Sequence, residues 1–88
     1  MADVTGIERL PSPPAGWEIG KCVASDGETL PTNLGKLFGL VAIGSSAGTI
    51  VSVSAISAGT ATLQVQAGDT STGVTDDTVY YIAFGDPQ

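Results

Sequence analysis

The tetrapeptide Ser46-Ala47-Gly48-Thr49 recurs as Ser57-Ala58-Gly59-Thr60, eleven residues further along the chain. Glycine supplies the positive φ that short hairpin loops need. The spacing leaves about seven residues per segment, close to the usual strand length. The segments themselves agree. Residues 60–67 (TATLQVQA) alternate Ala61, Leu63, Val65 and Ala67 with Thr60, Thr62, Gln64 and Gln66, and residues 49–56 (TIVSVSAI) alternate Val51, Val53 and Ala55 with Ser52 and Ser54. Period-two alternation between glycine turns predicts a β-meander. No window carries apolar residues at helical spacing behind a capped start, so the expected fold is all-β: a small β-barrel or sandwich of five or six strands.

Other strands follow from the same reasoning. Residues 17–24 (WEIGKCVA) form a strand closed by the turn Ser25-Asp26-Gly27-Glu28, with Trp17, Ile19 and Val23 on one face and Lys21 interrupting it. Asp-Gly is a strong hairpin signal. Residues 29–36 read as a short strand and a loop, and 68–77 as a polar loop. Residues 37–43 (LFGLVAI) and 78–84 (TVYYIAF) are apolar on both faces. In so small a domain such a strand is covered either by the chain's own segments or by a neighbouring subunit. With Val79, Tyr81 and Ala83 facing the core, Tyr80, Ile82 and Phe84 form an outer stripe that predicts an oligomer interface.

Residues 1–16 differ from the rest. They hold Pro11, Pro13 and Pro14 and show no apolar period, which favours extended backbone and excludes a central strand. This predicts an extended N-terminal arm (1–16) on a compact β-domain (17–88). Val4, Ile7 and Leu10 give the arm apolar contacts to make. The opening residues lack the apolar stretch of a signal peptide, and the single Cys fits a reducing compartment, so synthesis in a cytoplasm is expected.

Composition narrows the function. The 88 residues include 3 basic and 9 acidic side chains, one Cys and no His. A Ser-His-Asp or Cys-His catalytic unit, a His metal ligand, an intrachain disulfide and a Cys-x-x-Cys site are therefore excluded. A net charge of −6 argues against nucleic-acid binding, which needs clustered cations. The longest apolar run is too short to span a bilayer. Gly, Ala, Ser and Thr fill 40 positions, leaving few large side chains for a core. Small domains in this position add disulfides, a metal or oligomerisation, and only the last has the residues here.

Carboxylates are the remaining chemistry. Asp76 and Asp77 are adjacent, and neighbours on a strand point to opposite faces, which makes them a poor acid–base pair. The loop 69–77 has oxygen ligands at alternate positions, but its glycine is misplaced for a calcium loop and the closing Glu is missing, so it reads as a solvated hairpin loop. Gly44–Thr49 lacks the Lys of a phosphate loop. Cys22 reads as a small core residue. Trp17 reads as a lid on the core, with anchoring in a partner's pocket as the alternative. No enzyme and no cofactor are expected.

The segment Thr5–Pro14 (TGIERLPSPP), followed by the meander from Leu37 to Phe84, gives a layout of arm plus Ser/Thr/Gly/Ala-rich β-domain over the whole chain. In this the chain resembles the small decoration (cement) proteins of tailed bacteriophage capsids. The resemblance implies a structural virion protein on the capsid surface. It would be a homo-oligomer, a trimer before a dimer, that stabilises the shell by bridging capsomers. It also implies that Ile7, Leu10, Pro13 and Pro14 contact the major capsid protein, with Trp17 as the pivot between arm and domain. The rival expectations are a receptor- or glycan-binding β-module of a phage fibre or adhesin, with Trp17, Tyr80 or Tyr81 as an aromatic platform, and a tail or neck completion protein.

Overall fold

A computed structural model describes residues 3–70 and 72–87 of the chain. It contains seven strands: β1 (Thr5–Arg9), β2 (Trp17–Ala24), β3 (Thr29–Pro31), β4 (Leu34–Gly44), β5 (Thr49–Ser57), β6 (Thr60–Ala67) and β7 (Asp77–Pro87). They form two antiparallel sheets, ordered β1-β2-β7-β4 and β3-β6-β5. Among the described residues there is no helix and no closed barrel. The all-β expectation therefore holds as two facing sheets, and the barrel alternative does not.

The expected meander is interrupted. β5 and β6 are a hairpin, but β4 and β5 lie in different sheets, and β7 is inserted between β2 and β4. The two Ser-Ala-Gly-Thr copies consequently do different work. The first turns the corner between sheets, with Gly48 at φ +81°, and the second closes the β5–β6 hairpin with Ala58, not its glycine, at φ 52°. Gly59 is needed for a separate reason: a Cβ there would lie 2.1 Å from the Leu34 carbonyl oxygen. That close approach lets the Leu37 N–H donate to Ala58 O (2.8 Å) and the Thr32 N–H donate to Gly59 O (2.9 Å), tying the hairpin to β4 of the other sheet and to the β3–β4 link.

Cys22, Ala24, Val79, Tyr81 and Ala83 point inward from one sheet and Leu30, Ala61, Leu63 and Val65 from the other. β6 and β7 thus face as their alternation predicts. β2 does not: Glu18, Cys22 and Ala24 are buried, while Trp17 is exposed and Ile19 half-buried. Its apolar face is turned outward because the inward Glu18 finds three donors in the interior.

The expected arm is also revised. Val4 is in the core, the Val4 N–H donates to Thr29 O (2.9 Å), and β1 pairs with β2 from Thr5↔Val23 to Arg9↔Gly20. Thr5–Arg9 thus pair as an edge strand in the same sheet as β2, and a separate arm over residues 1–16 is not confirmed. Met1 and Ala2 of the expected arm lie outside the described residues.

Candidate interaction surfaces

The core is built from Leu, Val, Ala, Cys22 and Tyr81 and leaves most of the other large apolar side chains partly or largely exposed. None of the six Ile, two Phe or the Trp is among the buried residues, and Tyr81 is the largest side chain that is. Scattered exposed apolar residues are ordinary, whereas contiguous ones mark interaction sites. Here strand register makes them contiguous. On the outer face of the β1-β2-β7-β4 sheet, three cross-strand rows run Trp17–Phe84–Gly39, Ile19–Ile82–Val41 and Lys21–Tyr80–Ile43. Tyr80, Ile82 and Phe84 all point outward, at 45%, 39% and 38% exposure.

This face has relief. A groove of about 530 Å³ runs along it, lined chiefly by Leu10, Ile19, Val41, Ile43, Tyr80 and Ile82. At its rim the Lys21 ammonium and the Glu8 carboxylate are 3.8 Å apart, a separation at which an exposed pair contributes little. Beyond its end stands an aromatic pair, Trp17 and Phe84, with ring centroids 6.3 Å apart and planes tilted by 43°. The Phe84 ring lies over Gly39, where a Cβ would come within 2.8 Å of its tip. Sequence reasoning missed Ile19, Val41 and Ile43 as members of this face. The signal was present in the doubly apolar run 37–43.

A second groove, of about 340 Å³, lies on the side of the β1–β2 connection. Its lining brings together Leu10, Pro13, Pro14 and Trp17, four of the five residues expected to contact a partner, with Pro87 across from them. Ile7, the fifth, packs partly buried against the core instead. Trp17 is about half exposed, a wall between surfaces and not a lid. Tyr81, a candidate for an aromatic platform, is 2% exposed and unavailable to an external ligand.

The titratable groups are held in structural arrangements. Glu18 Oε2 accepts from Tyr81 OH (2.7 Å) and pairs with Arg9 Nε (3.0 Å), while its Oε1 accepts from Asn33 N–H (2.7 Å). Arg9 Nη2 also donates to Pro31 O (3.0 Å). Burial, and then the Glu18 carboxylate, push the Tyr81 phenol well above its ordinary range. Burial opposes the Arg9 charge, but the pairing with Glu18 outweighs it and raises that pKa. The cluster joins β1, β2, β7 and the β3–β4 link, and each carboxylate oxygen is engaged.

Asp77 is the second buried carboxylate. Burial works against its ionisation, yet donation from the Ser46 (2.8 Å) and Ser45 (3.0 Å) hydroxyls to Oδ1, with backbone N–H groups, holds it below its usual value. Its neighbour Asp76 instead exchanges hydrogen bonds with Ser25, so the two adjacent carboxyls serve different partners. Cys22 is a buried free thiol, pushed up to about 11 by burial and then by the Glu28 charge. Among the described residues no three His, Cys, Asp or Glu are grouped to hold a metal. Ser71 of the 69–77 loop lies outside them. No described helix is long and apolar enough to cross a membrane.

Compared with known proteins, the sequence matches no family model, and no curated protein and no solved structure matches it.

Proposed function

We propose that the chain is a non-catalytic structural subunit that acts by docking, and specifically that it decorates the outside of a phage capsid and bridges its capsomers. The observation that carries this is the placement of the large apolar side chains. Seven of the ten large exposed apolar side chains, Leu10, Trp17, Val41, Ile43, Tyr80, Ile82 and Phe84, gather on two adjoining surfaces, while both carboxylate oxygens of the buried Glu18 are engaged inside the domain. The larger groove is walled mainly by aliphatic and aromatic side chains, and its charged lining residues Glu8, Arg9 and Lys21 are engaged in ion pairs within the domain.

The division of labour follows the two surfaces. The groove of Leu10, Pro13, Pro14 and Trp17 is the contact to the shell protein. The sheet face carrying Tyr80, Ile82 and Phe84 is the contact between copies. Bridging opposes the separation of capsomers in a loaded shell by adding interface area. An acidic body with few cations avoids adhering to packaged DNA.

The reading is tested by incubating purified protein with expanded and unexpanded phage-like shells, then measuring bound protein and the temperature at which the shells release DNA. Saturable binding to expanded shells with a raised release temperature is expected. Bound protein that leaves the release temperature unchanged, or no binding, would overturn it.

A further inference from the structure

We infer that the outer face of the β1-β2-β7-β4 sheet is covered by the same face of a second copy, in a two-fold, face-to-face dimer. The inference rests on the reading of the chain as an assembly subunit and specifies which copies meet and how.

Area supports an obligatory cover. Leu10, Trp17, Val41, Ile43, Tyr80, Ile82 and Phe84 are 38–64% exposed. With side chains of this size offering ~150–250 Å² when fully open, they expose roughly 650 Å² together. Monomers rarely show a contiguous apolar patch above ~300–600 Å², and a standard interface buries about 800 Å² per partner. The patch, with its rim, is thus the size one half of a stable dimer needs.

The two outer faces of the domain are unlike, and this selects the partner face. On the other sheet, Thr60, Thr62, Gln64 and Gln66 of β6 point outward, Ser52 donates to Gln64 Oε1 across the strand pair, and the two exposed large apolar side chains, Ile50 and Ile56, stand at opposite ends of β5. Head-to-tail stacking would set the apolar face on this Ser/Thr/Gln surface and leave another apolar face bare at the end of each stack. Face-to-face packing covers both at once and closes. It also matches relief to relief. Ile82 sits on an inner strand in the middle row, so a two-fold axis lying across the strands near it sets the Trp17–Phe84 pair of each copy against the other's Lys21–Tyr80–Ile43 row and the groove there. Charge adds a signature. The charges on the face are matched within the chain, Glu8 with Lys21 and Asp86 opposite Lys36, whereas each body carries −6. Salt screens that body–body repulsion and leaves apolar burial intact. Association therefore tightens as ionic strength rises.

Sedimentation equilibrium of the full chain over micromolar concentrations, at low and high salt, is the test. A dimer mass, favoured by salt, is expected. Val41→Asp, at an exposed position, should weaken it by roughly tenfold or more with an unchanged circular dichroism spectrum. Ile50→Asp, on the other sheet, should leave it intact. In a Cys22→Ala background, Ile82→Cys should oxidise to a disulfide-linked dimer, because a residue near a two-fold axis meets its own counterpart. A monomer throughout, a trimer, or a dimer indifferent to Val41→Asp would overturn the inference. A face-to-face dimer that ignores shells would sustain it and remove the decoration reading instead.

Discussion

Tyr81→Phe removes one hydroxyl from the interior and should cost the domain a large fraction of its stability. The hydroxyl donates to Glu18 Oε2 at 2.7 Å, and both side chains are buried. A hydrogen bond to a charged acceptor in such a site contributes ~1.5–3 kcal/mol. The substitution leaves no cavity to speak of, and Arg9 Nε and Asn33 N–H remain on the carboxylate, so the middle of the range, about 2 kcal/mol, is expected. An unfolding entropy of about 2.1 cal/mol/K per residue over 88 residues gives roughly 0.18 kcal/mol/K. Tm should then fall by about 10 °C. Arg9→Met should cost more, about 3 kcal/mol, because it leaves Glu18 a buried charge without its cation, although Arg9 itself is 31% exposed. Thermal unfolding at fixed protein concentration and neutral pH measures both, and the double variant gives their coupling. A Tyr81→Phe Tm within about 2 °C of the parent would refute the account of Glu18 as the clasp between β2 and β7.

Three further outcomes follow from the same structure. Gly59→Ala should destabilise the domain by more than the ~1 kcal/mol typical of a point substitution, because its Cβ would collide with the Leu34 carbonyl oxygen; denaturant unfolding reads this. Asp77 has a folded pKa below its ordinary value, so its stabilising contribution is present above about pH 4 and disappears as pH falls through the folded value. Asp77→Asn should therefore be less stable than the parent at neutral pH, with the difference narrowing in acid titrations of Tm. Cys22 has the opposite sign. Its folded pKa of about 11 stands above the usual 9.0, so stability is intact below pH 9.0 and declines toward 11, and Cys22→Ala should flatten that part of the alkaline limb.

The bounds of β2 and β6 were legible in the sequence because turns punctuate them, at Asp26-Gly27 and at the two Ser-Ala-Gly-Thr copies. Which side of β2 faces inward was not. Trp17 and Ile19 are more apolar than Glu18 and Gly20, and only the nearness of Arg9, Tyr81 and Asn33 makes burial of Glu18 affordable. Those partners come from three other places in the chain, so no local pattern announces them. The early start of β4 at Leu34 was hidden for a similar reason. Gly35 and Lys36 read as loop, yet β7 runs on to Pro87 and pairs with Leu34 and Lys36 across a register shift at Gly35. Pro11, Pro13 and Pro14 correctly marked an interruption, but it falls between β1 and β2 and does not separate an arm from a domain.

The outward stripe of Tyr80, Ile82 and Phe84 was legible because β7 alternates through seven residues with the core side chains Val79, Tyr81 and Ala83. Its continuation onto Ile19, Val41 and Ile43 required the strand order, which places β7 between β2 and β4 although 32 residues lie between Gly44 and Asp77 at their near ends. The grouping of Leu10, Pro13, Pro14 and Trp17 in one groove likewise depends on the loop folding back beside Pro87.

Co-sedimentation with expanded shells tests the central claim, that the chain works by docking through its apolar surfaces, most directly. The parent protein and a Pro13→Glu/Pro14→Glu variant, matched for Tm and solution mass, would be titrated onto the same shells. The account predicts saturable pelleting of the parent and loss of pelleting in the variant. A parent that stays in the supernatant at every shell concentration, or a variant that pellets equally well, would contradict it.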